Sequence, residues 1–324
     1  MLKKLEELVK GGGVISFQEA EELLKLEQGQ ILELLAVANR VRKHFQGDQV
    51  DLCSIINVKS GKCSENCGFC AQSAHHQVSV EVYNLLDKAT VSARASLMER
   101  AGAHRFALVS SGRGVKEGKE LDKIIDLIVT LKQETSLTLC ASLGLLTPGA
   151  AARLKESGLD RYHHNLETAE SYFSEICTTH SYQDRIDTVK VAQEAGLTIC
   201  SGVILGLGES QKQVIEVAEA IRRLEVDSVP LNILNPIKGT PLGNNPLMDP
   251  WQVLKIVAVF RLMMPKTNLR FCGGRETNLR DLQALGMLAG ANGLMIGNYL
   301  TTAGREPEID LQMLKDLGFK LHKK

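Results

Sequence analysis

Short runs of apolar, often β-branched residues alternate with longer amphipathic segments along most of the chain. The runs predict strands at Leu52–Val58, His104–Ser110, Leu137–Leu143, Arg161–Leu166, Leu197–Leu205, Ser228–Leu234, Asn268–Cys272 and Gly293–Gly297. The amphipathic segments predict helices at Val91–Ala101, Leu121–Gln133, Pro148–Lys155, Ala169–Ile176, Tyr182–Ala195, Gln211–Leu224, Trp251–Met264 and Asn278–Leu285. This alternation predicts an α/β fold, namely a (β/α)8 barrel of the TIM type, and an open doubly wound sheet is the competing architecture.

The first 48 residues do not show this alternation. Apolar side chains between Gln30 and His44 recur at helical spacing, and Ser16 followed by Glu19 resembles a capping box. We therefore expect residues 1–48 to form an N-terminal helical extension that braces the barrel, and residues 49–324 to form the barrel and a C-terminal helix.

Charge and composition exclude several classes of partner. Lys and Arg number 38, as do Asp and Glu, so no basic excess is present to bind nucleic acid. The apolar stretches are too short to span a membrane, and the N-terminal segment lacks the apolar core of a secretory signal. A cytoplasmic enzyme with a small-molecule substrate is expected, and in a reducing compartment the 8 cysteines favour metal binding or catalysis over disulfides.

Three cysteines cluster just after the first predicted strand. Cys63, Cys67 and Cys70 form a C-x3-C-x2-C motif with Phe69 before the last cysteine. Three thiolates can hold three irons of a [4Fe–4S] cubane and leave the fourth iron open, where S-adenosylmethionine can bind through its amino and carboxylate groups. The alternative is a zinc site in which His75 or His76 supplies a fourth ligand.

The motif is the signature of the radical S-adenosylmethionine superfamily, and the chain resembles the biotin synthases from roughly residue 50 to 320. The matching strings include Ala71-Gln72-Ser73, His164–Thr168, Gly206–Glu209, Ser228–Asn232, Lys238–Leu242, Met263–Pro265, Gly274–Glu276 and Ala289–Asn292. The resemblance implies a (β/α)8 barrel and radical-mediated insertion of sulfur into dethiobiotin. It also implies S-adenosylmethionine as co-substrate, a flavodoxin or ferredoxin as electron donor, and a homodimer.

The resemblance assigns four residues to S-adenosylmethionine. Asn165 and Glu167 lie where the family binds the ribose, although Asp is more usual than Glu at the second position. Arg185 lies where the methionyl carboxylate is paired, and Ile204 lies beside the adenine. Asn165 and Glu167 are two residues apart on one predicted strand, so both are expected to face the lumen.

Four further positions are implied to contact dethiobiotin. Asn232 lies where the ureido ring is hydrogen-bonded, and Thr301 and Thr302 lie near the substrate carboxylate. His163 occupies a position where well-known members carry Asn. Asn232 and Glu167 would, taken singly, also suit structural roles at a strand end and near a helix N-cap.

A second, sulfur-donating cluster is implied inside the barrel, usually a [2Fe–2S] centre held by three Cys and an Arg. The first of these Cys positions is Ala107 here, whereas Cys140, Cys200 and Arg270 occupy the others. Cys272 lies two residues after Arg270, on the same side of the predicted strand.

We therefore expect Cys140, Cys200 and Cys272 to be auxiliary ligands, with Arg270 as a further candidate. A four-iron cluster is favoured and a [2Fe–2S] cluster is the alternative. Cys53 and Cys177 are expected to be buried small hydrophobes. The alternatives for function are another barrel enzyme of the superfamily, such as a hydrogenase maturase or methylornithine synthase, and a non-enzymatic iron–sulfur or zinc protein.

Overall fold

A ring of parallel strands forms the centre of the molecule, whose computed structural model describes residues 1–115 and 117–321. The strands are β1 (Gln49–Lys59), β2 (Arg105–Ser110), β3 (Thr138–Ser142), β4 (Arg161–His163), β5 (Thr198–Cys200), β6 (Val203–Leu205), β7 (Ser228–Ile233), β8 (Asn268–Phe271), β9 (Gly293–Met295) and β10 (Lys320–Leu321). Neighbours pair in the order β1-β2-β3-β4-β5-β7-β8-β9, and β9 pairs back to β1 through Gly293 and Asp51. The sheet is closed, which confirms the barrel and excludes the open doubly wound sheet.

Helices surround this ring. They are α1 (Leu2–Lys10), α2 (Phe17–Leu24), α3 (Gln28–Gln46), α4 (Lys88–Arg100), α5 (Lys119–Glu134), α6 (Pro148–Glu156), α7 (Glu170–Ile176), α8 (Tyr182–Glu194), α9 (Gln211–Arg223), α10 (Pro250–Met263), α11 (Arg275–Leu279), α12 (Gln283–Leu288) and α13 (Pro307–Asp316), with a 3-10 turn at Arg280–Leu282. None of the described helices is long and apolar enough to cross a lipid bilayer.

The N-terminal helices pack on the outside of the barrel. The Ser16 hydroxyl accepts a hydrogen bond from the Glu19 amide and the Glu19 carboxylate accepts one from the Ser16 amide, so the expected capping box begins α2. The buried face of α3 packs against α10, α1 and α12, and α2 packs against α9 and α10. At the other end of the chain, β10 pairs with the start of β1 through Lys320 and Gln49.

The fifth predicted strand is not continuous, which corrects the prediction for Leu197–Leu205. It is interrupted at Ser201 and Gly202, and β6 pairs with β7 after the break. Gly202 has no room for a side chain, because a Cβ would lie 2.0 Å from the Pro230 carbonyl oxygen. The Gly202 carbonyl instead accepts hydrogen bonds from the amides of Leu166 and Glu167, so the chain after β4 fills the gap.

The fourth strand and the last predicted helix also differ from the prediction. The fourth strand ends at His163 instead of Leu166, because residues 166–167 bond to the Gly202 carbonyl at this break. The helix predicted at Asn278–Leu285 is divided into α11, the 3-10 turn and α12. Arg280, which has a positive φ of 51°, ends α11, and the Asn278 amide ties this helix to the Leu234 carbonyl.

Candidate active site at the mouth of the barrel

A cavity of about 410 Å³ opens at the carboxyl ends of the strands and extends into the lumen. Active sites of (β/α)8 barrels form at this face. The predicted site residues that line it are Cys63, Cys67, His163, Asn165, Glu167, Arg185, Cys200, Ile204, Asn232, Arg270, Cys272, Thr301 and Thr302. Cys70 lies on the same loop as Cys63 and Cys67, and Cys140 is buried on β3. The fold therefore brings most of the predicted site into one cavity.

The triad loop follows β1 and folds back on itself. The Cys63 amide donates to the Gln72 carbonyl at 3.0 Å, and the Cys70 amide donates to the Cys67 carbonyl at 3.0 Å. Among the described residues, one group of three Cys, His, Asp or Glu side chains has all its ligand atoms within 4.8 Å of one another. It consists of Cys67, Cys177 and His180. The three triad sulfurs are therefore too far apart to close on a single ion, whereas a polynuclear cluster spans larger separations. The arrangement therefore does not favour a single-ion site on the triad.

The zinc alternative built on His75 or His76 does not have the required geometry. The His75 ring nitrogen Nε2 lies 2.9 Å from the Ser64 carbonyl oxygen, and the His76 Nε2 lies 3.0 Å from that of Cys67. Both rings are thus engaged with backbone oxygens of the loop.

Cys177, which we expected to be an inert buried thiol, lies against the triad loop. Its Sγ is 3.8 Å from Cys67 Sγ and 3.3 Å from the Nδ1 atom of His180. The hydrogen bond from Cys67 lowers the pKa of Cys177 to about 3, although burial opposes the shift. The same contact, together with burial, raises the pKa of Cys67. The burial of Cys177 is confirmed, but its contacts with Cys67 and His180 were not predicted, because the loop after α7 is distant in sequence from the triad and packs directly on it.

The four residues assigned to S-adenosylmethionine form one connected group. Arg185 Nη1 donates to the Asn165 carbonyl at 2.8 Å and lies 3.6 Å from Glu167 Oε1. The Asn165 amide group donates to Glu167 Oε2 at 3.3 Å, and the Ile204 amide donates to the Glu167 carbonyl at 2.9 Å. Burial raises the pKa of Glu167, against the opposing charge of Arg185.

The reason given from the sequence for the placement of Asn165 and Glu167 was incorrect. Both follow the end of β4 and do not lie on a strand, and Glu167 has a positive φ of 70°. They line the cavity because both bond to the break between β5 and β6: the Glu167 amide donates to the Gly202 carbonyl, and the side-chain oxygen of Asn165 accepts from the Gly202 amide. Nearby, the Glu209 carboxylate accepts hydrogen bonds from the amides of Gly206 and Gly208, so this glycine turn has no free amides for a phosphate.

The residues assigned to dethiobiotin line the same cavity, and Asn232 on β7 lies directly beside Ile204 on β6. Asn232 donates to the Val203 carbonyl at 3.2 Å and accepts from the Gly273 amide at 3.1 Å, so its side chain also bridges neighbouring segments. Burial, followed by the charge of Arg161, lowers the pKa of His163 well below its usual value. Thr301 and Thr302 lie at the mouth, where the Thr302 carbonyl accepts from the Tyr299 amide.

The lumen contains one more thiol than the sequence led us to expect. Cys53 on β1 lines the cavity together with Cys200 and Cys272. Burial raises the pKa of Cys53, but the hydrogen bond to Cys272 and the charge of Arg270 outweigh it and lower the pKa to about 6. Cys140 is fully buried in a small cluster with Ile55 and Ala107.

Cys53 is therefore a lumenal thiol on the strand adjacent to Ala107, the position at which the resemblance implies a cysteine. Ala107 on β2 pairs with Ile55 on β1, and Cys53 lies two residues earlier on that strand. The expectation that Cys53 is an inert hydrophobe is not supported by this position. Strand alternation could have placed it in the lumen, since Cys53 and Ile55 share a face.

Arg113 and Tyr299 also line the cavity and were not singled out from the sequence. Arg113 Nη1 donates to the Thr179 carbonyl at 2.6 Å, and Tyr299 donates from its hydroxyl to Glu276 Oε1 at 2.7 Å. Tyr299 lies two residues before Thr301, so its closeness in sequence to the predicted threonine pair could have identified it as a cavity residue.

A protein-family model described as the radical SAM superfamily matches residues 57–221 of the chain, which shows its superfamily. A biotin synthase from Pelotomaculum thermopropionicum is 53% identical over 317 residues, which cover 98% of each chain. The chain belongs to the biotin synthase family. A second biotin synthase, from Carboxydothermus hydrogenoformans, is 51% identical over 98% of each chain. A model described as the Biotin and Thiamin Synthesis associated domain matches residues 230–320.

Solved structures support the barrel fold of this biotin synthase family member. Methylornithine synthase superposes with a TM-score of 0.86 over 98% of this chain and 97% of its own, at 22% identity. The hydrogenase maturase HydG from Carboxydothermus hydrogenoformans superposes with a TM-score of 0.84 over 99% of this chain and 79% of its own, at 19% identity. At such low identity these structures show the fold alone, and the relatives above 50% identity decide the family.

Proposed function

We propose that the chain is a biotin synthase, a radical S-adenosylmethionine sulfurtransferase that inserts sulfur into dethiobiotin. The observation that carries this proposal is that one cavity joins the Cys63–Cys70 loop, the Asn165–Glu167–Arg185 group and buried lumenal thiols. The cavity reaches from the protein surface to the lumen, so a co-substrate near its mouth and a sulfur source deeper inside can both face one substrate.

Cys63, Cys67 and Cys70 would hold a [4Fe–4S] cluster with one open iron for S-adenosylmethionine. When bound, this cluster supplies the electron that cleaves S-adenosylmethionine to methionine and a 5′-deoxyadenosyl radical. Each new C–S bond of biotin requires removal of one hydrogen from dethiobiotin, so about two molecules of S-adenosylmethionine are consumed.

The protein residues orient S-adenosylmethionine. The carboxylate of Glu167 and the amide of Asn165 suit the two hydroxyls of a ribose, and Arg185 beside them provides a cation for the methionyl carboxylate. Ile204 provides an apolar surface for the adenine. Because Arg185 is already bonded to the Asn165 carbonyl, the charged group is held in place before the ligand binds.

Neighbouring residues of the same cavity would bind dethiobiotin. Asn232 offers an amide for the ureido ring, and Thr301 and Thr302 offer hydroxyls at the mouth for the substrate carboxylate. His163 adds a neutral imidazole between the strands that carry Cys140 and Cys200. With its carboxylate held at the mouth, the rest of the substrate would extend toward the lumenal thiols.

The lumenal thiols would hold the sulfur-donating cluster. We propose Cys140, Cys200 and Cys272 as ligands, with a four-iron cluster favoured and a [2Fe–2S] cluster with Arg270 as the alternative. Arg270 is a poor candidate because its Nη2 is already bonded to Asp51 at 2.6 Å. Cys53, which contacts Cys272, makes a fourth thiol available, so an all-thiolate ligand set does not need Arg270.

Other parts of the proposal derive from the family resemblance. They are a cytoplasmic location, a flavodoxin or ferredoxin as electron donor, and a homodimer. For the domains, we propose that residues 1–48 brace the barrel formed by residues 49–324, which is supported by the packing of α3 on α10.

Complementation tests the proposal in cells. Expression of the chain should restore anaerobic growth of a biotin auxotroph that lacks its own biotin synthase, and a variant with Cys63, Cys67 and Cys70 changed to Ala should not. Growth of the triple variant at the rate of the wild type would contradict the assignment.

A further inference from the structure

A second set of metal-ligand atoms lies on the triad loop itself. Cys67, Cys177 and His180 bring their ligand atoms within 4.8 Å of one another, and all three are buried. The function proposed above uses Cys67 only as a cluster ligand and does not use Cys177 or His180 at all.

The separations match those around a tetrahedral zinc ion. Zn–S bonds of about 2.3 Å and Zn–N bonds of about 2.0–2.1 Å place two sulfurs about 3.8 Å apart, and a sulfur and a nitrogen about 3.5 Å apart. Here Cys67 Sγ and Cys177 Sγ are 3.8 Å apart, and Cys177 Sγ and His180 Nδ1 are 3.3 Å apart. The ion would require no large movement of these side chains.

A fourth ligand is adjacent. Glu65 Oε2 lies 2.5 Å from His180 Nδ1, as a hydrogen-bond partner in the metal-free arrangement. When the imidazole nitrogen binds an ion, the proton between these two atoms is released, and the Glu65 carboxylate then has to move toward the sulfurs to act as a fourth ligand, because it is not within 4.8 Å of all three ligand atoms. Glu65, Cys67 and His180 all line the cavity, so an ion can reach them from solvent.

The backbone around the site is held in place without a metal. The side-chain oxygen of Asn66 accepts from the amides of Thr178 and Thr179 at 3.0 and 3.3 Å, and the Gly68 amide donates to the Ile176 carbonyl at 2.8 Å. These bonds fix the loop after α7 onto the triad loop, so the two sulfurs face each other in the folded chain.

We infer that Cys67, Cys177 and His180, with Glu65 beside them, form a binding site for a single thiophilic divalent cation such as Zn²⁺ in the cluster-free protein. Cys67 cannot serve this ion and the cubane at once, so the two occupants exclude each other. That the cation and the cubane exclude each other depends on the proposed cluster at Cys63, Cys67 and Cys70. The existence of the cation site does not depend on that cluster. A cation bound here would delay cluster assembly.

Cobalt binding to cluster-free protein tests the site. Co²⁺ is titrated anaerobically into the chelator-treated wild type and into the Cys177→Ala, His180→Ala and Cys63→Ala variants, and the thiolate-to-cobalt and tetrahedral visible bands are recorded. We expect Cys177→Ala and His180→Ala to weaken this binding at least about a hundredfold, and Cys63→Ala, which removes a cubane ligand only, to leave it unchanged. Zn²⁺ should displace the cobalt stoichiometrically.

Other outcomes overturn the inference. Loss of the bands in Cys63→Ala would place the ion on the triad, and unchanged binding in Cys177→Ala would place it elsewhere. Cys177→Ser, which keeps a hydroxyl near Asn66 and Thr179, is the second variant if Cys177→Ala does not fold. Circular dichroism checks the fold of each.

Cluster reconstitution separates this inference from the proposed function. Preloading with Zn²⁺ should slow iron incorporation at the triad in the wild type but not in Cys177→Ala, which keeps all three triad cysteines. Equal slowing in both proteins would contradict the inference and leave the proposed function intact. If Cys63→Ala forms the same cubane as the wild type, the proposed cluster site is wrong, whatever cobalt shows.

Discussion

Arg270 on β8 donates a hydrogen bond from Nη2 to Oδ2 of Asp51 on β1 at 2.6 Å, and both side chains are buried in the lumen. The same carboxylate oxygen accepts from Arg105 Nε at 2.8 Å. One carboxylate therefore pairs with two arginines beneath the lumenal cysteines and offsets half of their positive charge. Although burial opposes the shift, the charge of Arg270 lowers the pKa of Asp51 far below its usual value.

Replacing Asp51 by Asn should destabilise the fold. The change leaves a buried guanidinium without its counter-charge, which costs roughly 3–5 kcal/mol in the free energy of unfolding. Urea denaturation of the cluster-free protein at pH 7 measures this. Asp126→Asn is the matched control, since Asp126 pairs with Lys88 at 2.7 Å on the surface and should cost at most about 1 kcal/mol.

The same pair predicts a pH dependence. Because the pKa of Asp51 is lower in the folded chain than in the unfolded chain, its contribution is present above the unfolded value of about 3.9 and is lost as the pH falls below it. The wild type should lose stability in acid more steeply than Asp51→Asn. Equal acid sensitivity of the two proteins would show that the carboxylate is not stabilised in this way.

The lumenal thiols predict the iron content. Anaerobic reconstitution followed by iron counting and Mössbauer spectroscopy should give about eight irons per chain, four for each cluster. About six irons with a [2Fe–2S] signature would restore the usual arrangement for the family.

Single thiol variants then locate the ligands. Cys272→Ser should lose or alter the second cluster and leave the first intact, because the triad is on a separate loop. Cys53→Ser tests the extra thiol in the same way. Ala107→Ser, on the strand adjacent to Cys53, is the control. A Cys272→Ser protein with a full second cluster would remove Cys272 from the ligand set.

Asn232 should contribute to substrate binding. Loss of one hydrogen bond to a buried polar group costs ~1–3 kcal/mol, so Asn232→Ala should raise KM for dethiobiotin about 5- to 150-fold. Because Asn232 also bridges Val203 and Gly273, some loss of thermal stability is expected as well. Asn245→Ala, which removes a bond to the Leu207 carbonyl away from the cavity wall, should leave KM unchanged.

The barrel could be predicted from the sequence because each strand–helix unit is encoded locally. Apolar runs and capping residues fix the elements, and parallel strands with helical connections have few ways to close. The break between β5 and β6 could not be predicted, because it depends on contact between Gly202 and Pro230, which are distant in sequence.

Site residues that lie close together in the sequence could be predicted from their motif. Site residues that only the fold brings together were harder to predict. Cys63, Cys67 and Cys70 are close in the sequence, and their spacing alone indicates a cluster loop. Cys177 and Cys53 were taken for inert thiols, because their neighbours Cys67 and Cys272 come from other parts of the chain. Only the folded barrel shows that these thiols meet.

Direct assay of the reaction tests the central claim. The reconstituted protein is incubated anaerobically with dethiobiotin, S-adenosylmethionine and a low-potential reductant, and biotin, methionine and 5′-deoxyadenosine are quantified by mass spectrometry. The account predicts biotin together with about two molecules of 5′-deoxyadenosine per biotin, and no 5′-deoxyadenosine from the variant with Cys63, Cys67 and Cys70 changed to Ala. Cleavage of S-adenosylmethionine without any biotin, or cleavage by the triple variant at the wild-type rate, would contradict it.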